Sequence, residues 1–181
     1  EDVFGGDWPV EDLDAPAPEE IASRVRAAGI VGLGGAAFPT HVKLTRNPKT
    51  PIDTLLVNGC ECEPYLTADY RVMLEAPRAI VCGALLAAEA CGAERIVVAV
   101  EDNKPAAIDA VQGAADGTGI RVASMETRYP MGGERQTIVA ALGREVPTGG
   151  LPLHVGVVVM NVGTACAVAR AVLRQKPLTH R

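Results

Sequence analysis

The chain has 181 residues, 48% of them hydrophobic and only 3% aromatic, and its 17 basic and 22 acidic residues give a net charge of -5. That length and apolar content suit one domain with a real core and exclude a disordered chain. The scattered basic residues give no footprint for nucleic acid, and the longest apolar run, "HVGVVVMNV", is too short for direct insertion into a membrane.

Residues 1–17 carry acids and prolines without periodicity and read as an extended N-terminal arm, followed by a domain over 18–181. A start without methionine and a stop at "KPLTHR" suggest a piece of a longer chain. Apolar spacing at Ile21, Ala22, Val25 and Ala28, with acids in the first turn and a closing glycine, predicts a helix over 18–29. It delivers the chain into "GLGGAAFPTHVK", 32–43. A buried strand is predicted at 52–59, a small-residue helix at 76–92 and a second strand in "ERIVVAVED". A helix starts near Lys104 behind a cap and a proline, and "IRVASMET" is a third strand. Residues 133–143 read as a helix, 154–162 as a fourth strand and "TACAVARAVLRQK" as a final helix.

Strands alternating with helices of this length predict an α/β fold, a mainly parallel sheet with helices on both faces. Ligands of such sheets bind at the carboxyl ends of strands. The segments "NGCECEPYLTADYR", "RYPMGGER" and "NVGT" follow strands there, and the glycine loop joins them.

Read alone, the glycine loop fits either a surface turn or an anion-binding segment, whose converging amides Lys43 would reinforce. It matches neither the Walker pattern nor the Rossmann fingerprint. Gly132 and Gly133 open a helix, as a tight turn or as a second set of bare amides. Glu61 and Glu63 alternate after a strand and share a side if its geometry persists. As acceptors they suit hydroxyls or a ring N–H, the other reading being a solvated acidic turn. The five cysteines, Cys60, Cys62, Cys82, Cys91 and Cys166, show no CxxC or zinc-site spacing. Free thiols in a reducing, cytoplasmic setting are expected, with no metal site and no activated nucleophile.

Taken together, "GIVGLGGAAFPTHVKL", "VNGCECEPYLTADYRVMLE", "EDNKP", "YPMGGERQ", "GREVPTGGLPLHVGVVVMNVGTA" and "KPL" resemble the FMN/NADH-binding core domain of the C subunit of the Rnf electron-transport complex, from about residue 18 to the end. More distantly they are similar to the flavoprotein subunit of complex I, and the cobalamin reductase of propanediol utilisation shares the core. The resemblance implies FMN as cofactor, with Gly32, Gly34, Gly35 and Lys43 binding it and Phe38 stacking on a nicotinamide nucleotide ring. It implies Asn58, Glu61 and Glu63 at the flavin ring, ribityl chain or dinucleotide. Tyr129, Gly132, Gly133 and Glu134 would lie beside the isoalloxazine, and Asn161 and Thr164 near the flavin phosphate. Glu61, Glu63 and Glu134 take the catalytic roles.

The implied reaction is hydride acceptance from NADH, with electrons passed to iron–sulfur clusters carried elsewhere in the parent protein. Its partners are other subunits of a membrane electron-transport complex, and its place the cytoplasmic side of the inner membrane, held there through them. Against the family pattern, Ala37 replaces a loop glycine, Cys60 an aspartate, Gly133 a glutamate and Met160 an asparagine. If position 37 requires φ > 0, Ala37 bears on flavin affinity. The alternatives are a flavin-less docking domain and the flavin domain of a cobalamin reductase.

Overall fold

The computed structural model describes residues 6–179. Its elements in chain order are α1 (Pro18–Ala27), α2 (Thr40–Leu44), β1 (Thr54–Gly59), α3 (Ala68–Glu75), α4 (Pro77–Cys91), β2 (Arg95–Glu101), α5 (Pro105–Ala114), β3 (Arg121–Met125), α6 (Glu134–Leu142), β4 (Val157–Asn161) and α7 (Val162–Arg174). The four strands form one sheet in the order β3-β2-β1-β4, and every pairing is parallel.

Apolar runs make β1, β2 and β4, because both faces of the sheet are covered there, while the edge strand β3 carries exposed Arg121 and Ser124. Leu55 and Val57 face one way with Val98, Val100, Val158 and Met160; Leu56 faces the other with Val97, Ala99, Val157 and Val159. Helices α3, α4, α5 and α7 pack on the first face, with α1 and α2 joining the same core from behind α4, and α6 covers the second face through Ile138. Helices thus lie on both faces, as predicted, though unequally. Among the described residues no helix is long and apolar enough to cross a membrane.

Residues 1–5 of the predicted arm lie outside the described residues. Its remainder is bound to the domain: Trp8 is buried, the Arg174 guanidinium stacks 3.7 Å from its ring centroid, and Arg78 donates to its carbonyl at 2.9 Å.

Two predicted boundaries move. The segment read as loop after β1 contains α3, whose N-terminus is capped from a distance: the Glu61 carboxylate accepts the amides of Asp69 at 2.9 Å and Tyr70 at 3.3 Å. The strand predicted from 154 starts at Val157, because Pro152–Val155 is a 3-10 helix ended by Gly156 at φ +73°.

Helices α4 and α7 are built from small residues and pack closely. At Gly83 an added Cβ would overlap the Ala165 carbonyl oxygen. Gly83→Ala must therefore push the helices apart. It should lower stability by about 3 kcal/mol, the upper end of ordinary overpacking, seen as a melting temperature lower by roughly 6–12 °C.

At the amino end of the sheet Asp53 is held by Arg144 and Arg95, each at 2.9 Å, and by the Thr54 hydroxyl. Partial burial raises its pKa, but hydrogen bonds from Arg144, Thr54 and Arg95 outweigh that and hold it at about 2. This stabilisation is therefore present above about pH 4, the ordinary carboxylate value, and is lost as pH falls towards 2. In acid titrations followed by circular dichroism, Asp53→Asn should be less stable at neutral pH and lose less between pH 4 and pH 2.

Candidate functional site

After β1 the chain builds outward through β2 and β3, then returns through α6 to place β4 on the opposite side of β1. The crossover helices leave on opposite faces, so a crevice opens between the carboxyl ends of β1 and β4. Asn58 and Asn161 are register partners there. An open cavity of about 460 Å³ occupies this place, within the size range of small-molecule sites.

The glycine loop forms one wall. An antiparallel bridge between Val31 and Pro39 closes its base, with Gly32 N donating to Phe38 O at 2.9 Å and Thr40 N to Ile30 O at 3.1 Å. Its arm is tied to α7 by Leu33 N, which donates to Thr164 Oγ1 at 2.9 Å. Residues 33–36 turn back on themselves, and the amides of Gly34, Gly35, Ala36 and Ala37 make no well-formed hydrogen bond among the described residues. Gly35 has φ +110° and Ala37 φ +52°. A Cβ at Gly34 would stand 3.3 Å from the Asn161 Cβ, so the loop runs tight against β4.

Lys43, on α2, reaches over the sheet end. Its Nζ donates to Val159 O at 3.0 Å and to Glu134 Oε1 at 3.4 Å, and lies 6.0 Å from the Phe38 ring centroid. The contact with half-exposed Glu134 is worth little in water and is exchangeable.

Asn58 fastens the segment after β3: its Nδ2 donates to Gly132 O at 2.8 Å and its Oδ1 accepts Cys60 N at 3.0 Å. Gly132 must be glycine here, since a Cβ would meet Cys60 O at 2.5 Å. Asn161 caps α7, its Oδ1 accepting the amides of Gly163 at 2.8 Å and Thr164 at 3.3 Å, while its Nδ2 donates to Asp69 Oδ2 at 2.6 Å. Burial pushes the Asp69 carboxyl up to about 6; the Asn161 hydrogen bond opposes this and the charges of Glu61 and Glu63 add to it.

The cavity thus brings together Gly32, Gly34, Gly35, Phe38, Lys43, Asn58, Glu61, Glu63, Gly132, Glu134, Asn161 and Thr164 from the sequence prediction. Two predicted residues lie outside its lining. Tyr129 is exposed, and Gly133 turns the chain under Gln136 and the Pro130 carbonyl. Glu61 lines the cavity but is buried, with both oxygens engaged by α3, whereas Glu63 is exposed. Cys60 at the floor is buried, and burial first, then the charges of Glu101 and Cys62, push its thiol up to about 12, so it is no nucleophile. Asp69 also lines the cavity and does not stand out in the sequence, where it is one acid in "TADYR". The apolar wall comes from Leu33, Leu66, Val159 and Met160.

Comparison with known proteins identifies relatives of this chain and of its fold. The chain is 49% identical to the C subunit of the proton-translocating ferredoxin:NAD(+) oxidoreductase complex of Clostridium ljungdahlii, over 90% of this chain and 36% of that protein. It is 49% identical to the C subunit of the Na(+)-translocating ferredoxin:NAD(+) oxidoreductase complex of Acetobacterium woodii, over 95% of this chain and 38% of that one. It therefore spans little more than a third of these relatives' length. A solved NAD+-reducing [NiFe]-hydrogenase in the air-oxidized state superposes with a TM-score of 0.72 at 26% identity, covering 94% of this chain and 35% of that one. Residues 25–170 match the Nuo51 FMN-binding domain, and the chain belongs to that family.

Proposed function

We propose that this cavity binds FMN and that the domain accepts a hydride from NADH within an Rnf-type ferredoxin:NAD+ oxidoreductase. The observation that carries the reading is the arm of the glycine loop, Gly34 to Ala36, whose amides make no well-formed hydrogen bond among the described residues and which lines the cavity together with Lys43. Such a loop suits a phosphate, and the glycines leave room for it to approach.

The amides and Lys43 hold the phosphate, Lys43 exchanging its Glu134 contact for it. Glu63 and Asp69, and Glu134 once released from Lys43, accept hydrogen bonds from hydroxyl and N–H groups of the ligand. Glu61 acts by holding α3, and Asn58, Asn161 and Thr164 act by holding the loops in place. Phe38 and Leu66, half exposed at the mouth, offer apolar surface to an aromatic ring of the dinucleotide. FMN, when bound, takes two electrons from NADH and releases them singly. The iron–sulfur acceptors would be carried by other parts of the parent protein, and partner subunits would hold the domain at the inner membrane.

The test is to titrate the protein with FMN, following quenching of flavin fluorescence, and then to add NADH without oxygen while recording the flavin absorbance. Binding followed by bleaching is expected. Binding without bleaching removes the NADH step, and no binding leaves the docking reading. Lys43→Ala should weaken FMN binding by about ten- to a hundredfold, the range for a hydrogen bond to a charged group. Ala37→Gly should relieve the left-handed backbone and stabilise the fold by about 1 kcal/mol in urea unfolding.

A further inference from the structure

Asp69 is the cavity acid whose hydrogen bonds tie together two elements. It stands in the first turn of α3, where Glu61 holds its amide, and its Oδ2 accepts from Asn161 Nδ2 at 2.6 Å. Asn161 must choose between two orientations of its amide group. With Oδ1 towards α7, two orphan amides of the helix are satisfied at 2.8 and 3.3 Å; reversed, an NH2 group would face those amides. A carboxylate on the far side accepts only from N–H and so selects the first orientation. Thr164, one of the capped residues, carries the hydroxyl that accepts Leu33 N, so the chosen orientation is passed to the glycine loop.

We propose that Asp69 is a positioning residue, which sets the Asn161 amide and through it the first turn of α7 and the arm of the glycine loop. It need not touch the ligand to affect binding. The inference rests on the flavin reading only for its affinity readout.

The test compares Asp69→Ala, which removes the acceptor, with Asp69→Asn, which keeps one. In the flavin-free protein, the backbone amide signals of Gly163, Thr164 and Leu33 in nitrogen–proton NMR spectra should move in Asp69→Ala and return towards their original positions in Asp69→Asn. FMN affinity should fall about tenfold in Asp69→Ala and recover most of that loss in Asp69→Asn. In an Asn161→Ser background, which keeps a cap but not the amide, Asp69→Ala should weaken binding no further.

Unmoved Gly163 and Thr164 signals in Asp69→Ala would overturn the proposal, as would additive losses in the double variant. So would tighter FMN binding by both Asp69 variants, since that would make simple charge repulsion the effect of Asp69. If Asp69→Ala does not fold, Asp69→Ser supplies the same comparison. Should the unaltered protein bind no FMN, the flavin reading falls while the amide signals still decide this one.

Discussion

The site depends on the parallel pairing of β1 with β4, which ends with Asn58 beside Asn161. Neither asparagine leaves its side chain free. Asn58 bonds the Gly132 carbonyl and the Cys60 amide, and Asn161 bonds two amides of α7 and the Asp69 carboxylate. Asn58 is a short cross-brace from a rigid strand to the segment after β3, and Asn161 is one from the neighbouring strand to the first turns of α7 and α3. Releasing a buried partner would cost about 1–3 kcal/mol, so the strand ends hold the post-β3 segment directly and the glycine loop through α7. The glycine pattern follows from the bracing. Where Asn58 draws the post-β3 segment inward, Cys60 O leaves no space for a Cβ at Gly132; where the first loop runs against Asn161, Gly34 is similarly confined.

Both signs of charge line the same cavity. Lys43 stands beside the loop amides with Glu134 at 3.4 Å, while Glu61, Glu63 and Asp69 gather at the start of α3. Concentrating acids there has a measurable consequence in Asp69, held at about 6 by burial and by its two acidic neighbours. Behind the floor, Glu101 is fully buried with one oxygen on Lys104 at 2.9 Å and the other without a partner among the described residues. Burial, and after it the charge of Glu101, keeps the neighbouring Cys60 thiol protonated. A molecule that carries both a phosphate and N–H and O–H donors is complementary to this mixed lining; a uniformly anionic ligand is not.

Much of this was legible in the sequence because it rests on local or periodic signals. Apolar runs located β1 and β2, and the glycine clusters with Lys43, Asn58 and Asn161 marked loops that do converge. Helix α3 was not legible, because the group that caps it, Glu61, lies eight residues before its bonded partner Asp69. Asp69 could not stand out before α3 was known. Tyr129 and Gly133 are close to Gly132 in the chain but lie outside the cavity lining, since nearness in sequence does not set direction. Gly83 was hidden for a third reason, since its constraint is the backbone of another helix.

That last contact links composition to the site. In a chain with only 3% aromatic residues the core is filled by aliphatic and small side chains, and the alanines and glycine of α4 and α7 let these helices approach until Gly83 meets Ala165. Ala165 immediately follows Thr164, whose hydroxyl accepts the Leu33 amide. The depth at which α7 packs on α4 therefore fixes the height of that hydroxyl, and with it the place of the glycine loop above the sheet. Larger side chains could have filled the same volume, but they would have lifted the first turn of α7 and opened the loop. The small-residue core is thus part of the binding apparatus: close packing transmits small displacements instead of absorbing them.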